Sequence, residues 1–355
     1  MHTCLTGAAL ILALSAPVQA LTNSEIANLK GADRQKVLEE GARKEGTVLW
    51  YSTLVVDQAT RPIMDAFNKK YPFIKGEYHR DGSTGLLQRI LAEYQAKSMR
   101  VDVYSASYAL SALKLPLHEP FTSPSATAYP KEYLLPNGVG VIYRLTYHTL
   151  AYNTNMIPKD RVPKDYPDLL DPFFKGKMSW GSSSSSGAPA MISFWRKIWG
   201  EEKTEEYLTK LSKQDIKSVA DAGRSVLDQV IAGEYALTLA AATNHIAISI
   251  NDGAPVAAIL PPIVHSAANS TSMIKGAPHP HAAMLFVDFL LAKDGAQEIM
   301  KQATYVPAHP EVEPLAEERW AVPRLNGRQE FVEDSHEFSE MLKRSRDLYT
   351  KYFRD

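Results

Sequence analysis

Residues 139–153 read VGVIYRLTYHTLAYN, and this stretch decides how the rest of the chain is arranged. Its valines, threonines and tyrosines belong to the residue types that favour β-strands. Most strands hold about 5–6 residues, so this run is longer than one compact strand usually needs. It therefore predicts either two strands or one long strand that crosses between two lobes.

Helical and β-rich patterns alternate before this run. Residues 33–44 have a helical pattern that Gly46 ends, and Thr47–Tyr51 form a short β-rich run. Pro72 ends a second helix. A strand, a helix and a strand are then predicted at 74–79, 86–94 and 101–104. This order is typical of a largely parallel sheet with helices on both faces.

The same alternation continues after the run. A strand is predicted at 177–180 and a helix at 189–199. A second β-α-β unit includes residues 224–240, and 256–264 is again β-like, interrupted by Pro261-Pro262. Leu285 to Leu290 lie on an amphipathic helix, and the charged residues from Phe331 onward are predicted to be helical.

Length and composition limit the class of protein. The chain has 355 residues, of which 45% are hydrophobic, and its net charge is −1. This length predicts two lobes, and this apolar content excludes a disordered chain. A balanced charge provides no strong field for nucleic acid, so no nucleic-acid partner is expected. Cys4 has no second cysteine to pair with, which excludes an internal disulfide.

The first twenty residues predict export. An almost wholly apolar run, Gly7–Leu14, is followed by Pro17-Val18-Gln19-Ala20, which places small residues at a signal-peptidase site after Ala20. The n-region is poor, because it contains no Lys or Arg. A membrane anchor would need about 20 apolar residues, roughly twice this run. We therefore expect residues 1–20 to be a signal peptide and the mature chain to be periplasmic.

Catalytic motifs are not found in the sequence. The serine run within Gly181–Gly187 has no G-x-S-x-G elbow, and the S-x-x-K matches at 111–114 and 272–275 lack a K-T-G partner. We therefore predict no catalytic residue and no enzyme activity. His279 and His281 flank Pro280 without the spacing of a zinc site, so neither a metal nor a cofactor is predicted.

Two segments have the composition of anion sites. Gly82-Ser83-Thr84-Gly85 and Ser184-Ser185-Ser186-Gly187-Ala188 each place small polar residues just before a predicted helix. A helix N-terminus offers unpaired N–H groups and partial positive charge to a small anion. Ordinary capping by Ser and Thr is the alternative. One such segment in each half of the chain predicts a cleft with a helix end on either side.

The order of several segments resembles that of the periplasmic solute-binding proteins of ATP-binding-cassette importers, in the extracellular solute-binding family that includes ferric-ion-binding proteins. The matching segments span most of residues 46–310: GTVLWYST, RVDVYSAS, LAYNTNMIP, DLLDPFFKGKMSW, SSGA, AGEYAL, HPHAAMLFVDFLLAKDGAQ and YVPAHP. The resemblance implies two α/β lobes, each a mostly parallel sheet flanked by helices, joined by crossing hinge strands. It places 21–145 and 266–355 in lobe one and 146–265 in lobe two. It also implies a monomer that delivers a small solute to an inner-membrane permease.

The resemblance also bears on the ligand. Ferric-binding members have an adjacent tyrosine pair where this chain has Thr243-Asn244-His245. Their carboxylate after the D-V strand corresponds to Ser107, and their histidine to Ser52 or Thr53. Because Fe³⁺ prefers anionic oxygen ligands, bare ferric ion fits this set poorly.

These observations predict a binding protein for a small anionic or zwitterionic organic solute. The expected contacts are Ser52, Thr53, Ser83, Thr84, Ser107, Ser186, Gly187, Ala188, Arg224, Thr243 and Asn244. Tyr108, Tyr143 and Tyr152 are candidates for the cleft wall, and the position of His245 is left open. The alternatives are a ferric ion or metal chelate as cargo, a polyamine-like cation as cargo, and a secreted enzyme on a bilobal fold.

Overall fold

The computed structural model describes residues 21–107, 115–182, 187–220, 223–332 and 335–354. The predicted signal peptide, Tyr108 and Ser186 lie outside these ranges, as do the side chains of Thr84 and of residues 335–339. Within these ranges no helix combines the length and the apolar character needed to cross a membrane.

Helices and strands follow the predicted alternation. The α-helices are α1 (Asn23–Ala27), α2 (Arg34–Glu45), α3 (Arg61–Lys70), α4 (Ser83–Gln95), α5 (Ala188–Trp199), α6 (Glu201–Leu211), α7 (Gly223–Ala232), α8 (Thr243–Asn251), α9 (Pro280–Leu291), α10 (Glu298–Gln302) and α11 (Ser335–Phe353). The strands are β1 (Thr47–Ser52), β2 (Lys75–Arg80), β3 (Val103–Ala106), β4 (His118–Glu119), β5 (Val141–Asn153), β6 (Met178–Gly181), β7 (Lys217–Val219), β8 (Leu237–Ala242), β9 (Val256–Ile259), β10 (Ile263–Ile274), β11 (Val306–Pro307) and β12 (Gln329–Val332).

The sheet order confirms the α/β class and shows where the sheet is parallel. The main order is β2-β1-β3-β10-β5-β8-β6-β7. Both outer parts are parallel, through the pairs β1–β2, β1–β3, β6–β7 and β6–β8. The centre is antiparallel, because β5 and β10 run in opposite directions between the two parts. The predicted α/β class is therefore confirmed: the outer parts are parallel, and the antiparallel pairing lies at the crossing strands β5 and β10.

The long run quoted above is one strand that passes from one hydrophobic core to the other. Tyr143 and Leu145 of β5 are buried in a first core with Trp50, and Leu150 is buried in a second core with Trp180. A single strand reaches both cores because it has 13 residues and rises by about 3.3 Å per residue. The crossing-strand alternative is confirmed.

The C-terminal segment differs from the sequence-based expectation. Phe331 lies in β12, which pairs in parallel with β10, so the last helix begins at Ser335 and not at Phe331. In α11, Leu348 and Tyr349 are buried in the second core. The C-terminal part of α11 therefore packs with the core of the predicted second lobe, although the lobe division at 145/146 and 265/266 placed it in lobe one. That division stays a prediction.

Candidate functional site

A cleft of about 630 Å³ lies over the antiparallel centre of the sheet. Its described lining residues are Thr53, Val55, Gln58, Arg80, Gly82, Ser83, Ser107, Arg144, Thr146, His148, Gly223, Arg224, Ala242, Asn244, His245, Ile248, Ala267, Asn269 and Tyr305. Of the predicted contacts it brings together Thr53, Ser83, Ser107, Arg224 and Asn244. This volume suits a small organic solute.

The floor of the cleft is one face of the two central strands. Arg144, Thr146 and His148 alternate along β5, so their side chains point to the same face. Across the strand pair, Thr146 lies opposite Ala267 and Arg144 lies opposite Asn269. The antiparallel register therefore places an arginine, a hydroxyl and two further hydrogen-bonding groups on one surface.

Arg144 is the charged centre of that floor. Its residue is 5% exposed, and its guanidinium donates hydrogen bonds to the Oγ1 atoms of Thr146 (2.7 Å) and Thr53 (2.9 Å). The buried Nε has no hydrogen-bond partner, and no described carboxylate lies within salt-bridge distance. The guanidinium also lies 5.0 Å from the centre of the Tyr305 ring. A buried cation without a charged partner is costly, so the Arg144 guanidinium is a candidate contact for a negative charge.

The wall formed by the first half of the chain comes from strand ends. Thr53 follows β1, Ser107 follows β3, and Ser83 begins α4. The Ser107 N–H donates to Ser83 Oγ at 3.3 Å, and Ser107 Oγ bonds to Asn269 Oδ1 at 3.0 Å. Polar groups at the carboxyl ends of neighbouring parallel strands meet at one edge, which is why these residues converge.

The opposite wall comes from α7 and α8. Arg224, in the first turn of α7, forms an ion pair with Asp228 (2.8 Å) and donates to the His245 carbonyl (3.4 Å). Its side chain is 43% exposed. Asn244 and His245 open α8 and line the cleft. His245, whose position the sequence left open, therefore faces the cleft.

The two cleft histidines, His148 and His245, and the buried neighbour His265 are held neutral. Burial, reinforced by His265, His245 and Arg144, lowers the pKa of His148 to about 3. Burial likewise lowers the pKa of His265 to about 4 and, with the nearby Arg224, that of His245 to about 4. Burial is the largest cause in all three, so the protonated imidazoles are disfavoured mainly because they would be desolvated.

Four predicted contacts do not line the cleft. Ser52 is buried, and its Oγ accepts from the Leu54 N–H at 3.1 Å. Thr243 is 1% exposed, at the buried start of α8. Gly187 precedes α5, and Ala188 is buried in the second core. Ser186, the side chain of Thr84 and Tyr108 fall outside the described ranges. A ligand-binding role for every predicted residue stays a prediction.

The other candidate residues pack in the hydrophobic cores or lie at the start of α9. Tyr143 is buried in the first core, and Tyr152 is half-buried against the second. His279 lies 2.9 Å from Asp102 Oδ2 and His281 lies 2.6 Å from Glu45 Oε1, where they cover the start of α9. No described set of three or more His, Cys, Asp or Glu is arranged to hold a metal ion.

Sequence reasoning missed the floor of the cleft. Arg144 and His148 stood inside a β-rich run, and their spacing of four, with Thr146 between, already placed them on one strand face. An arginine and a histidine on one face of a largely buried strand are the local signal that could have indicated the cleft floor. Asn269 offered no such local signal, because only its pairing with Arg144 brings it to the site.

The fold and the cleft define a class: a two-core α/β protein with a ligand-sized cleft over its crossing strands. Residues 62–324 match the family model described as bacterial extracellular solute-binding protein, and the chain belongs to this family. An uncharacterized protein of Haemophilus influenzae is 26% identical over 250 residues, which is 67% of this chain and 70% of that protein. The family is one of solute-binding proteins and not of enzymes.

Solved structures share the fold at low identity. The periplasmic binding protein AfuA from Actinobacillus pleuropneumoniae, with fructose-6-phosphate bound, is 21% identical with a TM-score of 0.69, covering 87% of this chain and 99% of its own. Iron-bound HitA from Pseudomonas aeruginosa is also 21% identical with a TM-score of 0.69, covering 85% and 99%. These similarities concern the fold, and their different cargoes leave the ligand to be argued from the residues.

Proposed function

We propose that this protein captures a small anionic organic solute in the periplasm and delivers it to an ATP-binding-cassette permease. The observation that carries this proposal is Arg144, a buried cleft guanidinium without a described carboxylate partner. Arg80 and Arg224 line the same cleft, and the described lining includes no Asp or Glu. The cleft is therefore complementary to negative charge.

The chemistry of Arg144 supports an oxyanion as the recognised group. A guanidinium donates in a planar fork that matches carboxylate or phosphate oxygens, and such charge-assisted hydrogen bonds are short and strong. Thr146 and Asn269 add neutral polar groups around it. A carboxylate, phosphate ester or phosphonate would satisfy these donors, whereas a polyamine would meet Arg144 as a like charge.

Delivery would depend on lobe closure. The cleft walls come from opposite sides of the crossing strands, so a solute that contacts Ser83 on one wall and Asn244 on the other favours the closed form. A permease would then recognise that form. In this proposal the signal peptide directs export and is removed after Ala20, and the mature protein acts as a monomer.

Ferric cargo is the second candidate, because HitA is iron-bound. Bare Fe³⁺ would need anionic oxygen ligands, and Tyr305 is the one phenol among the described lining residues. A ferric chelate with free carboxylates fits better, since those carboxylates would meet Arg144. In this case too, the protein would recognise an organic anion.

Binding assays with the chain from Leu21 test the proposal. We would measure thermal shifts and isothermal titration with inorganic phosphate, a sugar phosphate, citrate, spermidine, ferric ion and ferric citrate. A ligand at a hundredfold excess over its Kd stabilises the folded state by about 2.7 kcal/mol, which gives a visible shift. Stabilisation by an organic anion supports the proposal, and stabilisation by bare ferric ion alone contradicts it.

Variants of Arg144 locate the site. Arg144→Ala should weaken anion binding by roughly 10- to 100-fold, because charge-assisted hydrogen bonds contribute about 1.5–3 kcal/mol. Arg144→Lys keeps the charge but loses the planar fork, so it should recover part of the affinity. Arg161→Ala is the matched control, since Arg161 pairs with Asp171 away from the cleft. Equal binding by Arg144→Ala and the wild type would refute the assignment of the site.

A further inference from the structure

Asp81 occupies the helix end that the sequence had suggested as an anion site. It follows β2 and is exposed, and its Oδ1 accepts a hydrogen bond from the Gly82 N–H at 2.7 Å. Gly82 is the N-cap of α4, whose 13 residues present a partial positive charge at this end. The carboxylate of this chain thus lies where an external anion was expected.

Gly85 makes room for that carboxylate. A Cβ at Gly85 would lie 2.2 Å from Asp81 Oδ2 and 2.6 Å from its Cγ. Any other residue at position 85 would therefore displace the Asp81 side chain. Because Asp81 is exposed, its side chain can turn away, so a larger residue at position 85 would move the carboxylate and leave the backbone of α4 in place.

The same helix end borders the cleft. Gly82 and Ser83 line it, as does Arg80 on the other side of Asp81. The cleft also contains buried polar groups that lack partners, namely Arg144 Nε and His148 Nδ1. Both residues are 5% exposed. The buried groups that an anion could pair with therefore lie on the strand floor and not at the end of α4.

We propose that Asp81 is a specificity-determining residue that sets the orientation of the solute. Its carboxylate neutralises the α4 end of the cleft and repels a second negative charge there. The solute's anionic group then lies over Arg144 and its uncharged polar part lies against Gly82 and Ser83. This inference rests on the proposed function and goes beyond it, because it predicts discrimination among anions.

Two phosphate esters with the same carbon skeleton length test the orientation. Glucose 6-phosphate has an uncharged sugar end, and 6-phosphogluconate has a carboxylate at that end. Wild-type protein should bind glucose 6-phosphate more tightly by isothermal titration. Asp81→Asn should tighten the binding of 6-phosphogluconate by roughly three- to tenfold and that of glucose 6-phosphate by less. This size is expected for charges about 5–10 Å apart near a protein surface. The gain should shrink at high salt.

A steric variant distinguishes the position of the Asp81 carboxylate from its charge. Gly85→Ala keeps every charge but displaces Asp81, so the effect of Asp81→Asn should be smaller in the Gly85→Ala background. Asp65→Asn is the matched control, because Asp65 is an exposed carboxylate on α3, whereas Asp81 stands between the cleft-lining residues Arg80 and Gly82. Thermal midpoints of all variants would show that each one folds.

The outcomes distinguish the orienting role of Asp81 from anion binding itself. Equal gains for both esters, or no gain, in Asp81→Asn would overturn the orienting role while leaving anion binding intact. If Asp81→Asn changes the ester affinities equally with and without Gly85→Ala, the position of the Asp81 carboxylate beside Gly85 does not matter for binding. If neither ester, inorganic phosphate nor citrate binds any variant, the proposed anion-binding function fails, and this inference fails with it.

Discussion

The rings of His148 and His265 stack across the two central strands, with centroids 5.4 Å apart and planes 29° from parallel. The two residues are cross-strand partners in the β5–β10 register. Both are buried, and the ring of His265 also lies 5.4 Å from that of Phe194 in α5. The crossing strands therefore hold two neutral imidazoles in a place where a proton would be unfavourable.

Acid should destabilise the empty protein through these histidines. The pKa of His148 is lowered to about 3 and that of His265 to about 4, whereas both titrate near 6.5 when unfolded. Below that value the unfolded chain binds more protons, so the free energy of unfolding falls as the pH drops towards the folded pKa. We expect a loss of up to about 1.4 kcal/mol per pH unit for each histidine, measured by urea unfolding between about pH 7 and 4.

Anion binding should be accompanied by proton uptake at His148. A negative charge over Arg144 offsets the positive field that, after burial, lowers the pKa of His148. The bound state then holds more protons, so affinity should rise as the pH falls towards the lowered pKa of His148, about 3 in the empty protein, for an anion whose own charge stays constant. Isothermal titration in buffers of different ionisation enthalpy measures the uptake directly.

A matched pair of histidine variants checks this uptake. His148→Gln should abolish it. His118→Gln should leave it unchanged, because His118 is a buried histidine outside the described cleft lining whose pKa is also lowered to about 4. Uptake that persists in His148→Gln would assign the proton to another group.

The Asp102 carboxylate should be essential for the start of α9. It is fully buried and accepts from the N–H groups of Leu49 (2.8 Å) and His279 (2.9 Å), while its Oδ2 lies 2.9 Å from the His279 ring. Asp102→Ala should cost about 3–5 kcal/mol, because it leaves buried donors unpaired. Asp102→Asn keeps one acceptor oxygen and should cost less. Denaturant unfolding measures both.

The pH dependence of that pair has the opposite sign to the cleft histidines. The hydrogen bond to Asp102 raises the pKa of His279. The stabilisation is therefore fully present below the unfolded pKa of about 6.5 and is lost as the pH rises through the folded value. The difference in unfolding free energy between wild type and Asp102→Ala should shrink with rising pH. A difference independent of pH would show that His279 does not titrate against Asp102.

The last helix should be an integral part of the second core. Tyr349 is 4% exposed, and its ring lies 5.9 Å from that of Trp180 on β6. Tyr349→Ala should destabilise the protein by about 3–5 kcal/mol, as for other large-to-small changes in a core. The exposed neighbour Thr350 provides the control, since Thr350→Ala removes no core contact. Equal midpoints for the two variants would contradict this packing.

The alternation of helices and strands was predictable because its signals are local. Gly46 ends α2 in the left-handed conformation (φ 71°), and the residues that face inward on α3, Ile63 and Phe67, are one turn apart. Such capping and periodicity act over a few residues, so the sequence alone specifies them. The polar residues at strand ends, Thr53 and Ser107, were predictable for the same reason.

The floor of the site was decided by pairing across the chain. Asn269 reaches Arg144 only because β10 lies antiparallel beside β5, more than a hundred residues away in sequence. The same long-range packing buries Ser52 and assigns α11 to the second core. Sequence by itself determined the elements and the class of binding protein. Tertiary structure alone determined which side chains share the cleft, because burial and strand register depend on partners that no local pattern identifies.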